Sequence, residues 1–269
     1  MHIVDELIAE RAPGLSGSPA WPLVRPALYA LLGYGKARAM ADAVAPMDGR
    51  AAFDHVSRLL DLKIEATGLE RIPREGPVIL VCNHPTGIAD GFALFDAVRP
   101  IRPDVIFYAN ADALRVAPRL GDSIIPVEWV EAKRTREKMK LTLAGTRAAL
   151  EGGRCLAIFP SGRLARVERG VLTEEPWAGT PLSLARKYDA PVVPIHMTGP
   201  SSMLFHLFDK VSHELRDITL FHEMLNKHGG RFTLTVGPAI APDDLPDDIA
   251  PLQAYVEHTL PQHPDQPFA

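Results

Sequence analysis

Seven short apolar runs, separated by stretches with helical spacing, dominate the chain from Leu62 to Ile240. The first, "LKIEATGL", alternates polar and apolar residues as a strand does, and the second, "GPVILV", is continuously apolar. The others are "DVIFYA", "SIIPVEW", "RCLAIFP", "APVVPIHM" and "RFTLTVGPAI". Helical stretches lie between them, notably at residues 131–151 and 181–188. This order predicts an α/β fold with a mostly parallel central sheet and helices on both faces.

A pair of helices is predicted ahead of the sheet, in "PLVRPALYALLGYGKARAMADAV" and "GRAAFDHVSRLLDL". We therefore divide the chain into an N-terminal helical segment, 1–61, and a main domain, 62–269. Two interpretations of the first segment remain open: a cap on the core, or a surface that faces a membrane. The second rests on an apolar face with a basic edge, which suits an interfacial helix. That face comprises Trp21, Leu23, Leu28, Tyr29, Leu31 and Leu32, and the edge comprises Arg25, Lys36 and Arg38.

Composition narrows the class of protein. The net charge of −4 argues against general binding of nucleic acid. No apolar run approaches the roughly 20 residues of a spanning helix, and the acidic N-terminus lacks the apolar centre of a signal peptide. A soluble or peripheral protein is expected. Both cysteines, Cys82 and Cys155, lie in apolar runs and are predicted to be buried, reduced thiols.

The stretch "CNHPTGIADG" places His84 at the exit of a buried strand and Asp90 near the start of a helix. A carboxylate folded back onto one imidazole nitrogen would fix the tautomer and leave the other nitrogen to take a proton from a hydroxyl. The alternative is structural: Asp90 caps the helix and His84 occupies a polar turn. The chain has no Gly-x-Ser-x-Gly elbow, so a Ser-based triad is not predicted. A histidine that acts directly on a substrate hydroxyl suits acyl transfer from a thioester.

A second constellation follows in "IFPSGRLARVERG". Arg163, Arg166 and Arg169 recur at three-residue spacing after a turn at Gly162. Guanidinium groups of this kind bind phosphate or carboxylate, although a solvated basic loop explains the spacing as well.

No metal and no cofactor are predicted, because His206, His213, His222 and His228 do not fall into a ligand pattern. The basic stretch "AKRTREKMK", residues 132–140, has two interpretations: a docking site for an acidic acyl carrier protein, or a solvated face.

In this order the motifs resemble the glycerolipid acyltransferase superfamily, typified by lysophosphatidic acid acyltransferases, over about residues 62–240. The resemblance implies that His84 is the base and Asp90 its partner. "FYANADALRVAP" resembles the second block of the family, which lines the acceptor site, and contributes Asn110, Asp112 and Arg115. The third block falls on Gly162 and Arg163, and the fourth on Val193, Pro194 and Ile195.

Two departures point to one branch of the family. Five residues separate His84 from Asp90 where the family has four, and Ser161 stands where the third block has an acid. Both features resemble the bacterial branch of haemolysin-like proteins and the O-acyltransferases of aminolipid synthesis. "FHEMLNKHGGRFTLTVGPAI" is also similar to that branch.

The resemblance implies an O-acyltransferase that moves a fatty acyl chain from acyl carrier protein or acyl-CoA to a lyso-lipid. A lyso-aminolipid of the ornithine or glutamine type is favoured, because Asp112 in the second block would repel a dianionic phosphate. Expected acceptor-binding residues are Asn110, Asp112, Arg115, Ser161, Gly162, Arg163 and Arg166, with Arg169 as a further candidate. The expected location is peripheral, on the cytoplasmic face of the bacterial inner membrane. The alternatives are a lysophosphatidate acyltransferase and a lipid-binding protein without activity.

Overall fold

The computed structural model describes residues 1–128, 133–168, 171–200 and 202–269. Each of the seven predicted strands is present, and together they form one sheet. These strands are β1 (Lys63–Thr67), β2 (Val78–Cys82), β3 (Ile106–Asn110), β4 (Ile124–Val127), β5 (Cys155–Ile158), β8 (Val192–Thr198) and β9 (Arg231–Val236). A separate antiparallel hairpin, β6 (Arg166–Glu168) and β7 (Val171–Thr173), lies between β5 and β8 in the chain.

The sheet order is β1-β9-β8-β2-β5-β3-β4. Within it, β8, β2, β5, β3 and β4 are mutually parallel, and β9 pairs with β8 in the antiparallel direction while remaining parallel to β1. The prediction of a mostly parallel α/β sheet is confirmed.

Thirteen α-helices lie in the described parts of the chain. The first five precede the sheet: α1 (Ile3–Arg11), α2 (Pro13–Ser16), α3 (Trp21–Leu31), α4 (Tyr34–Val44) and α5 (Gly49–Leu60). The next four are α6 (Ile88–Val98), α7 (Ala113–Val116), α8 (Arg136–Glu151) and α9 (Thr180–Tyr188). The last four are α10 (Met203–Asp209), α11 (His213–Asp217), α12 (Leu220–Leu225) and α13 (Ala250–Ala254), and a π-helical turn at Tyr255–Thr259 continues α13.

Helices cover both faces of the sheet, as predicted. The five residues of β2 are fully buried, with Leu80 facing one apolar cluster and Ile79 and Val81 facing the other. Helices α5 and α6 pack on the first face, and α8, α9 and α13 on the second. A strand buried on both faces needs the continuous apolar run seen in the sequence.

The N-terminal segment differs from the predicted pair of helices. The first predicted helix is divided into α3 and α4 at Gly33, whose φ of +65° is left-handed and breaks the helical hydrogen-bond pattern. The predicted membrane-facing set is also divided. Leu28 and Leu32 are buried against α1, α4 and α11, whereas Leu23 and Leu31 are 84% and 55% exposed.

Candidate active site

Four loops meet at the carboxyl edge of the sheet. Because β8, β2, β5 and β3 are neighbours and parallel, the segments that follow them leave the sheet at the same edge. Residues 83–87 connect β2 to α6 and contain His84. Every residue proposed from the sequence as a site residue lies in or beside one of these segments, apart from Arg169, which is outside the described residues.

His84 and Asp90 are in contact. The Nδ1 atom of His84 lies 2.9 Å from Oδ2 of Asp90, and the side chains are 16% and 0% exposed. A carboxylate at Nδ1 favours the tautomer with the proton on that nitrogen, which leaves Nε2 to accept a proton.

Asp90 is held by the loop as well as by His84. Its Oδ2 accepts the backbone N–H groups of Thr86 (2.9 Å) and Gly87 (3.0 Å), and its Oδ1 accepts the Thr86 hydroxyl. The Gly87 contact closes the first turn of α6, so Asp90 caps that helix and contacts the histidine at the same time. The two interpretations of Asp90 from the sequence are therefore compatible.

His84 is constrained from the other side by residues 159–174. Its ring stacks on Phe159 with centroids 4.5 Å apart, and its carbonyl accepts the N–H of Ala165 at 3.1 Å. Its backbone N–H donates to Oε1 of Glu174. The other oxygen, Oε2, accepts the indole N–H of Trp177 at 2.9 Å.

No sequence pattern marks Glu174 as a site residue. Burial raises the pKa of its carboxyl group, against the opposing effects of the two N–H donors and of the charge on His84. In "LTEEPWAG" the residue looks like any acid in a loop, and the one local signal is the tryptophan three positions later.

A buried polar chain supports the loop from behind. The hydroxyl of Ser202 donates to the carbonyl of Thr86 (3.3 Å) and accepts from Nζ of Lys227 (3.1 Å). Lys227 also pairs with Glu223 at 3.1 Å, and both side chains are almost fully buried. The side chain of Asn83 bonds both backbone groups of Met197, which joins the loop to β8.

The second-block residues are tied to the N-terminal helix α1. Asn110 accepts the backbone N–H of Asp112 at 2.8 Å. Oδ2 of Asp112 pairs with the guanidinium of Arg11 at 2.8 Å, and the guanidinium of Arg115 pairs with Oε1 of Glu10 at 2.8 Å. Burial alone would raise the pKa of Asp112, but hydrogen bonds from Arg11 and Arg115 and their charges outweigh it, so the pKa is lowered.

The third-block residues form the turn after β5. The hydroxyl of Ser161 donates to the carbonyl of Arg163 at 3.0 Å, and Gly162 has a left-handed φ of +63°. The side chain of Arg163 is exposed, and Arg166 lies 3.7 Å from Glu175.

The cysteines do not supply a thiolate. Cys82 and Cys155 are free and buried, as predicted. Burial raises the pKa of Cys155 to about 12 and that of Cys82 well above its usual value, so both thiols remain protonated near neutral pH. In the described parts of the chain, no group of three or more His, Cys, Asp or Glu side chains could hold a metal ion.

No helix among the described residues is long and apolar enough to span a bilayer.

A parallel α/β sheet with a His–Asp pair in the loop after its second strand is the arrangement that the sequence motifs predicted for an acyltransferase. Residues 63–198, half of the chain, match the model of the Acyltransferase family. The protein belongs to this family and is an acyltransferase.

Two curated relatives carry the same name, "Lyso-glycine lipid O-acyltransferase". They come from Bacteroides thetaiotaomicron and Phocaeicola vulgatus, and each is 28% identical to this chain over 187 residues. The alignments cover 67% of this chain and 67% and 65% of the two relatives. Among solved structures, the 1-acyl-sn-glycerophosphate (LPA) acyltransferase PlsC from Thermotoga maritima is similar over 79% of this chain and 78% of its own, with 16% identity and a TM-score of 0.47.

Proposed function

We propose that the protein transfers a fatty acyl chain from an acyl thioester to the hydroxyl of a lyso-aminolipid. The observation that carries this proposal is the 2.9 Å contact between His84 Nδ1 and Asp90 Oδ2, made in a loop that holds the carboxylate with three further hydrogen bonds. A base that is oriented in this way needs no covalent intermediate when the donor is already activated.

The proposed reaction is a direct transfer. Nε2 of His84 takes the proton of the acceptor hydroxyl while the hydroxyl oxygen attacks the thioester carbon. The C–O bond forms, the C–S bond breaks, and the departing thiolate takes the proton from Nε2. Asp90 stabilises the imidazolium between these two proton transfers.

The acceptor class rests on the relatives and on the departures from the usual family motifs. Two relatives act on a lyso-glycine lipid by name. We propose an acceptor with an amino-acid head group, of the ornithine, glutamine or glycine type. Its amide-linked acyl chain carries a 3-hydroxyl, and this hydroxyl is acylated. The head-group carboxylate would bind Arg163 or Arg166, which lie beside the loop after β5.

Asp112 repels a phosphate less strongly than the sequence predicted. Asp112 is paired with Arg11 and Arg115, so its charge is largely compensated and repels a phosphate less than an isolated carboxylate would. The proposal of a lyso-aminolipid therefore rests on the names of the relatives and on the motif departures, and not on Asp112.

The acceptor test uses the purified full chain with four acceptors: lyso-glycine, lyso-ornithine and lyso-glutamine lipids, and lysophosphatidate. Each is tested with two donors, acyl-CoA and acylated acyl carrier protein, because either thioester could serve. No further cofactor is proposed. Diacylated product is measured by mass spectrometry. Efficient conversion of one lyso-aminolipid supports the proposal, and conversion of lysophosphatidate alone contradicts it.

We propose that the enzyme acts at the surface of a membrane, on the cytoplasmic face of the bacterial inner membrane. Its proposed acceptor and product are lipids, so the site must receive them from a bilayer. Helix α3 exposes Leu23 and Leu31, and α10 exposes Met203 and Leu207, 78% and 57% accessible. Both helices pack on one apolar cluster through their opposite faces, which leaves these side chains outward.

A further inference from the structure

The segment between β5 and α9 contacts His84 at three points. It leaves the sheet at Phe159, forms the β6–β7 hairpin and returns at Trp177. On the way it contacts the ring of His84 through Phe159, its carbonyl through Ala165 and its backbone N–H through Glu174. The ring, the carbonyl and the backbone N–H of His84 are thus all held by this one segment.

Glu174 is itself held at both oxygens. Oε1 accepts from His84 and Oε2 from the indole of Trp177, which is 4% exposed. The backbone N–H of Trp177 donates to Gln253 on α13 at 3.0 Å, so the packing of the C-terminal helix fixes the position of the carboxylate.

We propose that Glu174 is a positioning residue for His84 and that its negative charge stabilises the imidazolium formed during the transfer. This inference rests on the proposed function, since it assumes that His84 takes up the acceptor proton. Glu174 keeps its own oxygens bonded to N–H donors throughout and exchanges no proton. Water screens its charge less than that of a surface acid because the group is partly buried, so the charge acts more strongly on the ring.

The N–H donors on both oxygens match the ionised carboxylate. Burial raises the pKa of Glu174, while these donors and the charge on His84 oppose that change. A proton on the imidazole therefore favours the charged form of Glu174 at the moment when that charge is useful.

The experiment separates the charge from the hydrogen bonds. Trp177→Phe removes the indole N–H, and Glu174→Gln is then made in that background, where no indole donor meets the new amide. The glutamine keeps the size of the side chain and an oxygen that accepts the N–H of His84. We expect kcat of the double variant to be about tenfold lower than that of Trp177→Phe, because one neighbouring charge changes the proton affinity of an imidazole by about this factor. The KM values of the two variants should agree within about twofold.

The pH dependence gives a second readout. The titratable groups around His84 are Asp90 on α6 and Glu174, and Glu257 in the C-terminal helix raises the pKa of Glu174. The nearby thiol of Cys82 stays protonated, so it adds no charge. Removing one negative charge makes the imidazolium lose its proton more easily. The acidic limb of the kcat profile is therefore expected to move to lower pH in the double variant, which a purely structural role would not cause.

Asp96→Asn is the matched control. Asp96 on α6 is also a partly buried carboxylate, but it accepts a hydrogen bond from Ser57 and lies 3.7 Å from Arg99, away from His84. Its kcat and pH profile are expected to match wild type. If the double variant loses the wild-type circular dichroism spectrum, Glu174→Gln alone is compared with wild type by the same criteria. Equal kcat and an unmoved acidic limb would overturn the role of Glu174, whereas a wild-type enzyme that transfers no acyl chain would overturn the proposed function itself.

Discussion

At the scale of single residues, Asp90 combines a structural and a proposed chemical task. Its carboxylate accepts hydrogen bonds from the backbone N–H groups of Thr86 and Gly87 in the loop and also bonds His84. A buried carboxylate without such donors would be costly, so the loop and the histidine are stabilised by the same group. Substitution of Asp90 would disturb both, which makes His84 the more informative position.

His84→Ala is expected to lower kcat by about 10²–10⁴-fold, the usual contribution of a positioned base. Because the His84 ring also stacks on Phe159 and bonds Asp90, the circular dichroism spectrum of the variant is compared with that of wild type. Acyl transfer is measured by thiol release, with His258→Ala as control, since His258 is 75% exposed in the C-terminal helix. A folded His84→Ala protein with wild-type kcat would show that another group acts as the base.

Gly87→Ala is expected to reduce both activity and stability. Gly87 has φ +104° and ψ −146°, a conformation that is nearly restricted to glycine, and a Cβ would lie 2.7 Å from Leu164. The strain would displace the N–H that Asp90 accepts. Gly35→Ala on α4 is the control, where a Cβ meets nothing within 4 Å, and it should stabilise the helix by about 1 kcal/mol. Activity and thermal midpoints that do not distinguish the two variants would contradict this account.

The sequence could pair His84 with Asp90 because the two residues are only six positions apart, one in the loop after an unmistakable strand and the other in the first turn of the helix that follows. Glu174 and Arg11 could not be located in this way. Each meets its partner, 90 and 101 residues away, only through the tertiary fold. For the same reason Asp112 looked like an uncompensated acid in the sequence.

At the scale of elements, the seven strands were predictable because each is an apolar or alternating run bounded by turn residues. The β6–β7 hairpin was missed, since three-residue strands in an arginine-rich stretch have no such pattern. The helix predicted at 131–151 begins at Arg136, where the Thr135 side chain caps it by accepting the N–H of Lys138. Glu131, the predicted start, lies outside the described residues.

The burial of His196 between β8 and the C-terminal helix is expected to make the fold less stable in acid. Nδ1 of His196 bonds the carbonyl of Val256 at 2.9 Å, and burial lowers the pKa of this histidine. In the unfolded chain the histidine has its ordinary pKa of about 6.5, so it binds a proton more tightly than in the folded protein. The free energy of unfolding is therefore highest above that pH and falls as the pH is lowered through it.

His196→Asn keeps a donor for Val256 but does not titrate. The fall in thermal midpoint between pH 7.5 and 5.5, measured by calorimetry, should be smaller in this variant than in wild type. His263→Asn, at an exposed position near the C-terminus, should behave as wild type. An equal fall in His196→Asn and wild type would exclude His196 as a source of the acid sensitivity.

At the scale of the whole molecule, the proposed membrane contact can be tested by point substitution. Leu23→Ser/Leu31→Ser on α3 should reduce binding to anionic vesicles at least tenfold, because each exposed leucine buried in lipid contributes about 1.5–3 kcal/mol. Binding is measured by flotation. The control is Leu141→Ser/Leu143→Ser on α8, whose leucines are 63% and 62% exposed. Unchanged binding of the α3 variant would mean that this helix is not the contact.

The ion pairs between α1 and the second block limit how freely this protein can be recombined with its relatives. Arg11 faces Asp112 and Glu10 faces Arg115, so positive and negative partners alternate across the junction. An N-terminal segment without Glu10 and Arg11 would leave Arg115 and Asp112 without these partners. A chimera is therefore expected to keep this junction only when residues 10, 11, 112 and 115 all come from one parent.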